Sequence, residues 1–334
     1  MEPERIPAVR ATFGPVLESH GAVLRTAADG SCVLFRRADE VRPARCALHQ
    51  SHGHDALPSA CRHFPRIYLH DDHVTRVTLS HYCPTAASLL FEETDAHITD
   101  APSALTPPED REGLDARGAL PPLLRPDMLM DVRSYAAWES GAVSLLAAPG
   151  TSEAALSRLS RYAEAIRDWQ PARGPLIEWV WAAVARSGIE SPSAAAPRHG
   201  LWRHWHDVAR ASMHEGLTHE EPPSDLEALD RRFVAPKWDD FSGALRRYLA
   251  GRLFGSWTAY QGRGVRTLVA SLTCALGVVR VGAARQCAAA DRPLSASLLL
   301  QAIRQADLLL IHKADRGQLA RQLARVETED RRPA

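Results

Sequence analysis

The chain has 334 residues, of which 45% are apolar and 24% charged, with 40 Lys+Arg balanced by 40 Asp+Glu. That composition belongs to a folded globular protein of one large or two ordinary domains and excludes wholesale disorder. Zero net charge leaves no global basic field for nucleic acid or an acidic membrane surface, so neither is expected as a partner.

Residues 1–10 are polar and carry prolines, unlike a signal peptide. A cytoplasmic location follows as the expectation, and with it reduced cysteines rather than disulfides. The Asp29-Gly30 turn leads into Cys32-Val33-Leu34-Phe35, which has strand character. Residues 46–64 are rich in His, Pro and small side chains and predict short helical turns and loops. Val74 to Ser80 alternates apolar and polar residues and is the best strand in the chain. Thr85 to Glu93, after Pro84, predicts a helix. Prolines 102, 107, 108, 121, 122 and 126 mark a linker or extended wrap.

Beyond that point the pattern is helical. Helices are predicted over 131–147, 152–168, 175–187, 201–214, 224–232, 238–257, 262–290 and 295–326, with starts at Ser152 and Ser295. The last two read as an antiparallel pair. Leu268, Leu272, Leu276 and Val279 form an apolar face on one of them, with Arg266, Arg280 and Arg285 along the other side. The apolar run 268–279 falls short of the roughly 20 residues that span a membrane, so it reads as a buried helix. The expected fold is mainly α: a small irregular α+β cysteine-cluster module over 1–99, a proline-rich linker over 100–130 and a helical bundle over 131–328.

Four of the six cysteines, Cys32, Cys46, Cys61 and Cys83, fall within 52 residues, and the next is Cys274. Four thiolates are a complete ligand set for zinc or an iron–sulfur cluster. Their separations contain no Cys-x2-Cys knuckle, so spacing alone is a weak signal. Context adds to it, because each cysteine sits at a turn from which separate segments can converge. Buried packing of the four as small apolar residues is the plain alternative. Cys274 and Cys287 are expected in the core. Thirteen helical residues turn through about 1300°, which leaves them about 140° apart and unable to pair.

These contexts resemble the YkgJ-type cysteine-cluster family, the zinc- or iron-chelating proteins that include flagellin lysine N-methylase. The matching pieces are Asp29-Gly30-Ser31-Cys32-Val33-Leu34-Phe35, Cys46-Ala47-Leu48-His49, Cys61-Arg62-His63-Phe64-Pro65-Arg66 and Ser80-His81-Tyr82-Cys83-Pro84. The likeness is strong over residues 30–95. A fainter one reaches Ala302 to Asp307 and His312. The resemblance implies Cys32, Cys46, Cys61 and Cys83 as metal ligands, holding a [4Fe–4S] cluster or, alternatively, zinc. Arg62, His63 and His81 would then donate hydrogen bonds to the sulfurs. It also implies methyl transfer from S-adenosylmethionine to a lysine-bearing protein such as flagellin. The family usually carries a Cys-Cys pair upstream of the position of Cys32, and residues 1–31 contain no cysteine. Either the reading frame starts late or this branch has lost a ligand set.

Other signals are sparse. No Gly-x-Gly-x-x-Gly follows a strand, no Walker A motif appears, and no Cys-x3-Cys-x2-Cys triad is present. No catalytic residue is assigned. His49, His52 and His54 lie between two of the cysteines, where one could replace a cysteine as ligand or donate to a sulfur, with a solvated loop as the plainer reading. His204 and His206 read as surface or interface positions. The eight tryptophans fill gaps between helices or line a groove. Asp307 is of interest within the family-like stretch, with a buried Asp–Arg bridge as its plainer role. A non-catalytic metal-binding module with a helical partner surface is the alternative to an enzyme.

Overall fold

The computed structural model describes residues 32–36, 45–92, 95–101, 113–187 and 200–329. It is mainly α with a small α+β N-terminal region. The described residues up to Phe64 belong to one compact unit, and Pro65–Leu105 with Gly113–Ala334 form the other.

The first unit is built on two buried leucines, Leu34 and Leu48. Strand β1 (Phe35–Arg36) pairs antiparallel with β2 (Arg45–Cys46), placing Phe35 opposite Cys46. The Ala47 amide donates to the Leu34 carbonyl at 2.8 Å, which brings the two leucines onto one core. Helices α1 (Ala47–His52) and α2 (Ser59–His63) follow. The expected helical turns over 46–64 are therefore present.

In the second unit, β3 (Arg66–His70) is the centre of a three-stranded sheet. It pairs antiparallel with β4 (Thr75–Leu79), from Arg66 opposite Leu79 to His70 opposite Thr75. Asp71 makes the hairpin turn, because its Oδ1 accepts the His73 and Val74 amides at 2.8 Å each, an Asx turn. On its other edge β3 pairs parallel with β5 (Gly113–Asp115). Strands β6 (Leu123–Arg125) and β7 (Met128–Leu129) form a separate hairpin.

Two expectations are corrected here. The boundary falls at Phe64/Pro65 rather than at residue 99, because β3 and β4 are tied to the helices: Thr78 Oγ1 donates to the Gly251 carbonyl at 3.1 Å, and Trp257 Nε1 donates to the Tyr68 carbonyl at 2.9 Å. The stretch 113–130 is no linker, since it carries β5, β6 and β7 and buries Ala116, Leu124 and Met130. Proline density marked the breaks between these short strands, and the pairing partner of β5 lies some 45 residues upstream. Gly113 is required by that pairing. A Cβ there would meet the Tyr68 backbone carbonyl and come within 2.6 Å of the Tyr68 Cβ. Gly113→Ala is expected to cost about 1–3 kcal/mol, the usual penalty of overpacking. A urea midpoint equal to that of the unaltered chain would refute this close contact.

The helical body contains α3 (Pro84–Leu89), α4 (Val132–Ala147), α5 (Ser152–Arg167), α6 (Leu176–Ser187), α7 (Gly200–Ala211), α8 (Leu226–Leu229), α9 (Ala235–Trp238), α10 (Ser242–Leu253), α11 (Val265–Ala290), α12 (Ala296–Asp307) and α13 (Arg316–Glu329). Side-chain caps fix two of the starts: Asp131 accepts the Ser134 amide, and Thr151 accepts the Ala154 amide, each satisfying an orphan helix donor. Helix α11 is the one helix, among the described residues, long and apolar enough to cross a membrane, and 83% of its apolar window is buried inside the protein. It packs most extensively on α12 and α7. Gly277 is what admits α7, because a Cβ there would lie 3.0 Å from the Trp205 Cβ.

The predicted single helix over 295–326 is broken. It runs as α12, then a π-helical turn Leu308–Lys313, then an extended residue at Ala314 before α13. Ala314 bridges to Met213, the Asp315 amide donates to the Ser212 carbonyl, and Asp315 Oδ1 accepts the Gln318 amide at 2.6 Å. Bonding to the end of α7 thus replaces helix continuity. Arg280 also departs from expectation. It is 8% exposed and bonds bidentately to Asp230 at 2.7 and 3.0 Å, with Trp202 and Trp238 flanking its guanidinium.

Candidate functional site

The four candidate ligands divide between the units. Cys32 and Cys46 both pack against the Leu34–Leu48 core and are partly buried. The Leu34 amide approaches the Cys32 Sγ at 3.5 Å. Cys61, on α2 of the same unit, is exposed. Arg62 and His63 beside it are buried, and Arg62 Nη1 donates to the Asp55 carbonyl at 3.4 Å. His49, His52 and His54 are exposed, but His49 and His52 lie on α1 and His54 opens a 3-10 turn, so they are not in a loop. Cys83 belongs to the second unit, where it is partly buried. All six cysteines are free thiols. Among the described residues, no three His, Cys, Asp or Glu side chains are gathered so as to hold a metal ion.

Cys83 sits in an unusually well-anchored turn. Its carbonyl starts α3 by accepting the Ala87 amide, its own amide donates to the Ser80 carbonyl, and Pro84 fixes the first helical residue. The preceding residues are held from the far end of the chain. The Ser80 hydroxyl and His312 Nε2 share a 2.8 Å hydrogen bond. The His81 amide donates to Asp307 Oδ2 at 2.6 Å, and the His81 ring nitrogen Nδ1 lies 3.3 Å from the same oxygen. Arg304 Nε donates to the Tyr82 carbonyl at 3.0 Å and its guanidinium faces the Tyr82 ring.

Asp307 is the hub of this turn. It is fully buried, and the Tyr248 hydroxyl donates to its Oδ1 at 2.9 Å while Arg252 lies 3.5 Å away. Burial alone would raise its carboxyl. The hydrogen bond from His81 and the charge of Arg252 outweigh that and hold it below the usual carboxylate range. The plainer expectation for Asp307, an Arg bridge, is therefore met, and two further partners, His81 and Tyr248, come with it. Sequence reasoning missed Tyr248, Arg252 and Arg304, none of which lies in a motif.

Elsewhere, Cys274 and Cys287 are buried, and burial pushes their thiols up to about 12 and about 11. Cys274 donates to the Trp205 carbonyl. His204 is exposed but His206 is buried, its ring 5.7 Å from that of His219. A surface position for His206 is thereby corrected, since residues 205 and 206 both turn inward on α7. No protein-family model, curated protein or solved structure matches the chain.

Proposed function

We propose that this chain is a cysteine-cluster protein of the YkgJ type, whose thiolates at Cys32, Cys46, Cys61 and Cys83 take up an iron–sulfur cluster or zinc in the cytoplasm. The observation that supports it is the anchoring of the Ser80–Cys83 turn. Three side chains from beyond residue 300, one of them a fully buried carboxylate that Tyr248 holds in turn, bond to a four-residue turn that presents one candidate sulfur. Such support is what a ligand position needs and what an ordinary surface turn does not. Ligand ordering and metal uptake would be one coupled event. The further activity implied by the resemblance, S-adenosylmethionine-dependent methylation of a lysine-bearing protein such as flagellin, is part of the proposal as a reaction class, without a residue assigned to it. A non-catalytic module with a partner-binding helical surface is the second reading, favoured by Trp181, which is 56% exposed on α6.

Anaerobic purification of the full chain with quantification of iron, sulfide and zinc tests the metal. One cluster or one zinc per chain is the expected result, and Cys61→Ser is expected to lose it almost completely. A metal-free wild type after reconstitution would defeat the proposal. Full metal content in the Cys61→Ser protein would remove that residue from the ligand set.

A further inference from the structure

A cavity in the second unit lies between β3, β4, the turn at Phe254–Thr258 and the start of α13. It has a volume of about 60 Å³, room for a few water molecules or one small oxyanion. Thr78, Arg252, Ser256, Trp257, Ser271 and Arg316 are among its lining residues. We propose that this cavity binds the oxyanion group of a small ligand, a carboxylate or a phosphate, with Arg316 as its principal ionic partner and Arg252 as a second positive charge. The proposal is independent of the cysteines and of any metal.

Arg316 is placed for a ligand and not for a protein partner. Its guanidinium stacks on the Trp257 ring, 3.1 Å from the centroid. That indole is itself fixed by its bond to the Tyr68 carbonyl, so Arg316 is held against a rigid wall. Its hydrogen bond to protein is a long one, 3.5 Å from Nη2 to the Ile311 carbonyl. Nη1 is buried with no partner. Among the described residues no carboxylate pairs with Arg316. Its sequence neighbour Asp315 has Oδ1 engaged by the Gln318 amide. The second guanidinium, Arg252, shares Asp307 with His81 and Tyr248, and its Nε also lacks a partner. Two arginines therefore face the cavity against one carboxylate that already accepts other bonds. Burial, reinforced by the charge of Arg252, pushes the Arg316 guanidinium down to about 9.

An uncompensated, largely desolvated guanidinium is costly. A planar fork with a free Nη1 edge is also the group best shaped for two-point recognition of carboxylate or phosphate. An oxyanion in the cavity would balance the charge and complete the donor set. The small volume restricts the part bound here to the anionic head of a ligand.

Titration calorimetry and thermal melting of the full chain, with inorganic phosphate and with acetate, test this against chloride at matched ionic strength. At least one oxyanion is expected to bind and raise the melting midpoint, and the one with the larger effect identifies the head group. Arg316→Met is expected to weaken that binding by about tenfold or more and to leave the ligand-free midpoint equal or higher, because it removes an unpaired buried charge. If neither anion gives heat or a shift beyond chloride in the wild type, the site does not exist. This measurement needs no variant to fold. An unchanged anion response in Arg316→Met would equally overturn the assignment.

Discussion

Asp307→Ala is expected to destabilise the second unit by about 3–5 kcal/mol, the penalty for removing one member of a buried charged network. The substitution leaves the Arg252 cation without its carboxylate, and it strips the acceptor from the Tyr248 hydroxyl and the His81 amide. Each orphaned donor adds to the loss. Asp307→Asn should cost less, because its carbonyl still accepts from His81 while its NH2 faces a hydroxyl that can accept in turn. The effect should concentrate at the Ser80–Cys83 turn. Amide exchange of His81, slow in the wild type, should become fast in the alanine variant.

The same residue predicts a pH dependence. The folded carboxyl lies below its ordinary value, so Asp307 stabilises the protein above its unfolded pKa of about 3.9 and loses that contribution as pH falls through the lower, folded value. The stability difference between wild type and Asp307→Asn should therefore be full at neutral pH and shrink below about pH 4. A difference that stays constant down to pH 3 would contradict the ionised hub.

The helices were legible because their apolar residues recur at helical spacing, and β4 because Val74 to Ser80 alternates. What the pattern hid is long-range. Strand β5 is three residues, and its identity depends on Gly113 lying against Tyr68, a pairing with no local signature. The break after Lys313 is likewise decided by Ser212 and Met213, a hundred residues away. Arg280 reads as a surface charge on a helical wheel, and only the position of Asp230 makes it a core residue. For the candidate site, cysteine clustering and the Ser-His-Tyr-Cys-Pro string pointed to the turn, and the family-like stretch pointed to Asp307. Periodicity carries nothing about Tyr248, Arg252 or Arg304, whose roles exist only once α10 and α12 are packed. Arg316 and Trp257 lie 59 residues apart and became a pair only in three dimensions.

Glu139→Ala is the second substitution with a large expected effect, again about 3–5 kcal/mol. Arg76 on β4 is buried and donates through Nε to Glu139 Oε2 at 2.6 Å and through Nη1 to Asp71 Oδ2 at 2.5 Å. Glu139 on α4 also accepts the Gly255 amide at 3.0 Å, so it ties the sheet, α4 and the turn after α10 together. Burial raises the Glu139 carboxyl in spite of Arg76, which marks this ion pair as one whose desolvation is only just offset. Truncating Glu139 leaves half the guanidinium and the Gly255 amide unpaired. Removing both charges is a different matter, because an apolar pair of similar volume escapes the desolvation cost altogether. Arg76→Met with Glu139→Leu should therefore be less destabilised than the sum of the two single variants by about 1–3 kcal/mol. Strict additivity in urea unfolding would mean that the two side chains contribute separately, and the bridge would not be what couples β4 to α4.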